Sequence, residues 1–133
     1  MKTEDNFCGK EYYKITLVGL NPDRCVILKG PKEEKMLVEV LRDDYQISRY
    51  EKMLQLVIKE KVEQSCQEAC FQALSLGNLK EAVRKGEDRV VCSYLRDVQG
   101  KIQRVSATVY PRKTGKQREL EEFIIYVTAD NKT

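Results

Sequence analysis

Apolar and polar residues alternate with a period of two near both ends of the chain, whereas they recur at helical spacing in the middle. Residues 12–20 are rich in aromatic and β-branched types, with Ile15 and Leu17 on one face, and this pattern predicts a first strand. A second short apolar run, residues 25–28, follows the turn sequence Asn-Pro-Asp at 21–23. Because proline presets φ and Asn and Asp cap turns through their side chains, the two runs predict a hairpin.

Between residue 32 and residue 86 the apolar residues recur every three or four positions, which predicts four helices. Ser48 and Ser65 are the expected N-caps of the second and third helices, because a serine hydroxyl can accept a bond from a free N–H group of the first turn. Gly77 is expected to end the third helix and Gly86 the fourth. The apolar faces, in chain order, are Met36, Leu37, Val40 and Leu41; Tyr50, Met53, Leu54, Val57, Ile58 and Lys61; Cys66, Ala69, Cys70 and Ala73; and Leu79, Ala82 and Val83.

Three further strands are predicted after the helical region, at residues 90–96, 102–110 and 120–128. Gly100 suits the turn between the first two of them, and Pro111 is expected to end the second. Consecutive strands joined by short loops pair as a meander, and the first hairpin has to complete the same sheet to cover its apolar face. The order β-β-α-α-α-α-β-β-β therefore predicts an α+β fold: a five-stranded antiparallel sheet with helices inserted between strands 2 and 3, and with the last strand inside the sheet.

The composition is that of a single globular domain of 133 residues, with 41% hydrophobic and 34% charged residues. The 24 basic and 21 acidic side chains are mixed along the chain, and the basic stretch 112–118 is interpreted as a solvated turn, so we expect no nucleic-acid partner. No run of apolar residues is long enough to span a membrane, and we expect no membrane contact. Five cysteines without a signal peptide favour a reducing compartment, which predicts a cytoplasmic location.

The order of these elements resembles that of the PAS domain, the small sensory fold of bacterial signalling proteins. The stretch NLKEAVRKGEDRVVCSYLRDVQGKIQRVSATVYP, residues 78–111, is similar to the family's helix ending in Lys-Gly, its strand with an aromatic-x-Arg step, its glycine turn and its following strand. The stretch EEFIIYVTADNKT, residues 121–133, is similar to the family's last strand and to the aspartate that begins its linker. The resemblance covers nearly the whole chain: residues 1–10 are taken as an N-terminal extension and 11–133 as a PAS-like sensory domain.

This resemblance implies a regulatory domain of a multidomain signal-transduction protein, in which the last strand transmits a signal through a linker to a C-terminal effector domain. The effectors implied are a diguanylate cyclase (GGDEF) domain or a histidine kinase. Asp130 and Thr133 are the expected signal-output residues. The domain alone is expected not to be an enzyme, and a homodimer is a further implied partner.

A ligand pocket in this family lies between the sheet and the helices, so an unknown small molecule would contact inward-facing residues. Tyr94 and Arg96 are of most interest, because a buried phenol or guanidinium needs a polar partner that a ligand can supply, although Arg96 can also reach solvent and pair with an acidic neighbour. The candidate ligand-binding residues are Leu17, Ile27, Leu54, Ile58, Phe71, Tyr94, Arg96, Val105, Ala107 and Ile125.

Several kinds of chemistry lack support in the sequence. The chain has no histidine, no haem-attachment motif and no glycine-rich phosphate loop, and no cofactor is predicted. Cys66 and Cys70 share a helix face, either as a metal or redox pair or as small apolar residues of the core. Two alternative functions remain: a structural dimerisation PAS module without a small-molecule ligand, and a small cystatin-like α+β enzyme that works through Asp or Tyr.

Overall fold

The computed structural model describes residues 12–41, 47–114 and 119–129. The described strands are β1 Tyr12–Leu20, β2 Asp23–Lys29, β3 Val90–Val98, β4 Lys101–Thr114 and β5 Glu119–Ala129. The described α-helices are α1 Lys32–Glu39, α2 Arg49–Lys61, α3 Gln67–Leu74 and α4 Leu76–Arg84, with a 3-10 turn at Gln64–Cys66 before α3. Among these helices none combines the length and the apolar character that a membrane span requires.

The five strands form one antiparallel sheet in the order β2-β1-β5-β4-β3. The predicted α+β class is confirmed, as are the five-stranded antiparallel sheet and the position of the helices between the second and third strands. β5 lies inside the sheet, as predicted, and is its central strand. Its sequence explains this position, because Phe123 and Ile125 supply an apolar inner face while Ile124 and Tyr126 supply an apolar outer face.

The predicted inward face of β1 is wrong. Lys14, Thr16 and Val18 are buried, whereas Ile15 and Leu17 are only partly buried and lie on the outer face of the sheet. Hydrophobicity favours Ile15 and Leu17 for the inner face, because the alternate positions include Lys14 and Thr16. The inner face includes a lysine, which is tolerated there because it has an ionic partner.

The helix boundaries follow the predicted caps in part. The Ser48 hydroxyl accepts a bond from the Glu51 N–H at 3.1 Å, as predicted, and Gly86 follows α4 with φ of +91°. Ser65 does not cap α3, because it lies within the 3-10 turn and bonds Glu63 instead. Gly77 does not end α3 either. That helix ends at Ser75, whose hydroxyl then accepts a bond from the Asn78 N–H at 3.3 Å and so begins α4.

Two further expectations about element faces and ends are corrected. Pro111 does not end β4, which continues to Thr114. The pairing of β3 with β4 ends at Val109, so Pro111 lies where β4 has only β5 beside it, and a missing N–H is tolerated on an unpaired strand side. In α1, Met36 and Val40 are exposed rather than packed, and it is Glu34 that the helix buries.

The core lies between the inner face of the sheet and the helices. Phe123 and Val105 are among its fully buried side chains on the sheet, and Tyr50 and Leu79 among those on the helices. The Tyr50 hydroxyl donates a bond of 2.7 Å to the carbonyl oxygen of Leu74, so the buried phenol is satisfied and ties α2 to the end of α3.

Candidate functional site

Three charged side chains lie buried together at one end of the sheet, and we call them the ion cluster: Lys14, Glu34 and Arg96. Their exposed fractions are 5%, 3% and 1%. Lys14 comes from the inner face of β1, Glu34 from the first turn of α1, and Arg96 from the inner face of β3. Charged residues are rarely buried this fully unless they are paired, so this cluster is the least ordinary feature of the interior.

The carboxylate of Glu34 lies between the two cations. Lys14 Nζ is 2.6 Å from Glu34 Oε1, and Arg96 Nη2 is 2.6 Å from Glu34 Oε2, so each carboxylate oxygen holds one cation. Arg96 makes further contacts: its Nε donates to the carbonyl oxygen of Asp97 at 2.9 Å, and Nη2 donates to the Tyr13 hydroxyl at 3.4 Å. The guanidinium carbon is 5.1 Å from the centroid of the Tyr13 ring, within cation–π range.

Long side chains are needed to build the cluster. β1 and β3 are separated in the sheet by β5 and β4, and three steps of about 4.8 Å put roughly 14 Å between them. Lysine and arginine reach across this width to meet on one glutamate of α1. Gly30 leaves the room for this arrangement, because a Cβ at that position would lie 3.1 Å from Lys14 Cγ.

Burial and ion pairing act in opposite directions on the three groups. Burial favours neutral Glu34, but the attraction of Lys14 and the hydrogen bond from Arg96 outweigh it and lower the pKa of that carboxyl. Burial likewise opposes the charge on Arg96, but its bond to Glu34 raises the pKa of the guanidinium. For Lys14, burial is the larger effect and lowers the pKa of the amine in spite of Glu34. Glu34 and Arg96 are therefore held in their ionised forms.

An open cleft of about 1110 Å³ adjoins the ion cluster, and we call it the polar cleft. It is formed by the beginnings of β1 and α1, the β3–β4 turn and the end of β5. Its lining residues are Tyr12, Tyr13, Lys29, Gly30, Pro31, Lys32, Glu33, Glu34, Lys61, Arg96, Asp97, Val98, Gln99, Gly100, Gln103, Thr128 and Ala129.

Most of the predicted ligand-binding residues lie elsewhere. Arg96 is the one of the ten that lines the described part of the polar cleft. Phe71 is partly buried against the core and, with Ile58, lines a shallower depression of about 420 Å³, while Leu17 lies on the outer face of the sheet. The other predicted residues belong to one packed core cluster: Ile27, Leu54, Ile58, Tyr94, Val105, Ala107 and Ile125. Their role in ligand binding stays a prediction.

Sequence reasoning did not find Lys14, Glu34 or Tyr13. Arg96 was identified as a residue that needs a partner, and the structure supplies that partner from Glu34, 62 positions away along the chain. Glu34 stands in the run Lys-Glu-Glu-Lys at 32–35, which looks like a solvated helix end. The one available signal was Lys14, a charged residue in the middle of an otherwise aromatic and aliphatic strand.

The cysteines of the described residues pack as small core residues. Cys70 is buried, and Cys66 is partly buried against the same core. A hydrogen bond with Cys92, and then burial, raises the pKa of the Cys70 thiol well above its ordinary value. Across residues 12–41, 47–114 and 119–129, no group of three or more Cys, Asp and Glu side chains is placed to hold a metal ion. Of the two interpretations of the Cys66 and Cys70 pair, the packing favours the core.

The predicted signal-output residues Asp130 and Thr133, and the predicted extension 1–10, lie outside the described residues. Comparison of the chain with protein-family models, with curated proteins and with solved structures gave no match.

Proposed function

We propose that the chain is a sensory domain of the PAS type in a multidomain bacterial signal-transduction protein, where it controls a diguanylate cyclase or a histidine kinase. The observation that carries the proposal is the position of β5. This strand is central in the sheet, between β1 and β4, and its last residue, Ala129, directly precedes the expected output residue Asp130. A change in strand pairing would therefore reach the end of β5 through its neighbours β1 and β4.

The polar cleft suggests how such a signal begins. Thr128 and Ala129 at the end of β5 line the same cleft as Arg96. A molecule in the cleft would touch both the ion cluster and the strand that leads to the output. Binding would then favour one of two packings of β5 and α1, and the effector would respond to that shift in population.

The change Asp130→Ala tests this proposal in the natural full-length protein. We expect the output activity to stop responding to the signal, because the first residue after β5 no longer couples the strand to the effector. The free energy of unfolding of the domain should stay within about 0.5 kcal/mol of the wild-type value, because the proposed role of Asp130 is in the output and not in the packing of the domain. The measurements are cyclase or kinase activity with and without the signal, and denaturant unfolding of the domain.

Lys132→Ala is the matched control for that experiment, since it alters the same exit region without touching Asp130. It should keep the response. An unchanged response in Asp130→Ala, or a natural protein that carries no effector domain, would refute the proposed function.

A second candidate is a dimerisation module without a small-molecule ligand, and the outer face of the sheet favours it. Large apolar side chains on this face, which is opposite the helices, are exposed on β2, β3 and β4. Their exposed fractions reach 57%, and the residues are Val26, Leu28, Val91, Ile102 and Tyr110. Apolar patches of this kind often mark protein–protein contacts.

Sedimentation velocity over a range of concentrations tests the second candidate with the variant Leu28→Glu. If two copies pair through the outer face, this variant should be monomeric where the wild type is dimeric, because the pairing would bury an unpaired charge. Val40→Glu also replaces an exposed apolar residue by glutamate, at the C-cap of α1, and should leave the dimer intact. A wild-type chain that is monomeric at every concentration rejects this candidate.

A further inference from the structure

The ion cluster and the polar cleft together carry more positive than negative charge. The cationic residues that line the cleft are Lys29, Lys32, Lys61 and Arg96, and the acidic ones are Glu33, Glu34 and Asp97. Lys14 adds a further cation behind Glu34. Both oxygens of Glu34 are already engaged, and Asp97 Oδ2 lies 3.6 Å from Lys61 Nζ. The carboxylates nearest to Arg96 are thus shared with other cations, and the buried charge is only partly balanced.

One nitrogen of the buried guanidinium, Nη1, has no hydrogen bond to a described residue. The bonds that Arg96 makes within the described part of the chain use Nε and Nη2. Among the described residues, no fully enclosed side-chain nitrogen or oxygen lacks a hydrogen-bond partner. Nη1 is therefore not fully enclosed, although the side chain as a whole is only 1% exposed. Because Arg96 lines the cleft, we infer that Nη1 is the nitrogen that a molecule in the cleft would contact.

The beginning of α1 adds donors of the same kind. Pro31 is the N-cap of this helix of eight residues, and within the described chain no side chain caps it. The first N–H of the helix for which the structure gives an acceptor is that of Glu34, bonded to the Pro31 carbonyl. The preceding amides belong to Lys32 and Glu33, which line the cleft. Free N–H groups at a helix N-terminus favour an anion.

We propose that the polar cleft binds a small oxyanion, the carboxylate or phosphate group of a metabolite, through Arg96 Nη1, the Tyr13 hydroxyl and the beginning of α1. The cleft volume of about 1110 Å³ slightly exceeds the roughly 300–1000 Å³ of most small-molecule sites, so the cleft has room for a metabolite. This proposal rests on the proposed sensory function for the consequence of binding. The binding itself is measured without any effector.

The first experiment titrates the 133-residue chain separately with succinate and with inorganic phosphate, and follows the backbone amides by NMR. Succinamide, the neutral analogue of succinate, is the control ligand. We expect saturable shifts in residues 29–34, 96–103 and 128–129 with at least one of the two anions, and none with succinamide. Which anion binds more tightly distinguishes a carboxylate site from a phosphate site. Shifts that are absent, that lie outside these residues or that also occur with succinamide would overturn the proposal.

Two substitutions test the role of Arg96. Arg96→Lys keeps the charge but removes the guanidinium fork, and should weaken binding by about tenfold or more. Because this buried change can also disturb folding, Gln103→Glu provides an independent test on the surface of the cleft. Gln103 is paired with Arg96 across β3 and β4, so a carboxylate there should occupy or repel the anion site and abolish binding.

Gln55→Glu is the matched control, because it makes the same change of charge on α2, at the shallower depression. It should bind like the wild type. Wild-type affinity in Gln103→Glu, with the fold intact, would refute the anion site. If the anion binds but Asp130→Ala still responds to the signal, the sensory function fails and the site stands. If Asp130→Ala uncouples the output but no anion binds, the sensory function stands and the anion site fails.

Discussion

Glu34→Gln is expected to lower the free energy of unfolding by about 3–5 kcal/mol, the usual cost of removing one partner from a buried ion pair. The substitution leaves Lys14 and Arg96 buried at 5% and 1% exposure without the carboxylate that holds both. Glutamine has nearly the same shape, so the loss is electrostatic rather than a cavity. Denaturant unfolding at neutral pH, followed by circular dichroism, measures it.

The neighbouring substitution Glu33→Gln makes the same change of charge at an exposed position of the same helix turn. We expect it to alter the free energy of unfolding by no more than about 0.5 kcal/mol. Equal effects of the two substitutions would mean that Glu34 is not the buried counter-ion of Lys14 and Arg96.

The pH dependence gives a second measure of the same carboxylate. Its pKa in the folded chain is lower than the ordinary value of 4.5, so its contribution to stability is present above that value and is lost as the pH falls through the folded pKa. In Glu34→Gln this contribution is absent at every pH. The difference in stability between the wild type and the variant should therefore shrink as the pH is lowered below 4.5. A constant difference would contradict the ionic origin of the effect.

The class of the sheet and the pairing of neighbouring strands could be predicted because their signals are local. Each strand shows an alternating or continuous apolar run, and short turns join neighbouring strands, so an antiparallel sheet follows from connection length alone. The place of β5 inside the sheet followed from its strongly apolar run, which includes Phe123 and Ile124. Ser48 was predicted as a cap because a serine before an apolar helical repeat has few other uses.

The ion cluster could not be predicted because it depends on pairs far apart in the sequence. Glu34 meets Lys14 from 20 positions away and Arg96 from 62. Glu34 and Glu33 look alike in the sequence, and only the packing of α1 on the sheet decides which of them is buried. The prediction of which face of β1 points inward was wrong for a related reason. Hydrophobicity argues against a lysine on the inner face, and its burial there is explained only when its ionic partner is known.

The position of the cluster has a consequence for signalling. Buried ion pairs contribute little net stability compared with apolar residues of similar volume, so stability alone is a weak reason for three charges in this interior. The cluster joins α1, β1 and β3, and it borders the residues at the end of β5. An anion bound through Arg96 Nη1 and the beginning of α1 would add a second link between α1 and β3, next to the bond between Glu34 and Arg96 Nη2, and so change how α1 packs on the sheet. The ion cluster is thus the part of the fold whose two arrangements would be populated differently with and without the ligand.

Phe123→Ala should cost about 3–5 kcal/mol of unfolding free energy, because the ring is 1% exposed in the middle of the core and its removal leaves a cavity. Phe123 lies on the central strand, opposite Val18 of β1 and Pro111 of β4. The core cannot close around the missing ring without moving both neighbouring strands. The shift in the midpoint of denaturant unfolding measures the loss, provided that the slope of the free energy of unfolding against denaturant concentration is the same in the variant and the wild type.

Ile124→Ala, one position along the same strand, is the control. Its side chain lies on the outer face and is only partly buried, so we expect a loss of about 1 kcal/mol, well below that of Phe123→Ala. Both variants are unfolded at a protein concentration at which the chain is monomeric, so that contacts between two copies do not contribute to the measured free energy. A loss from Ile124→Ala as large as that from Phe123→Ala would show that the outer face is also covered in the folded monomer. In that case the exposed surface on which the dimerisation candidate depends would not exist.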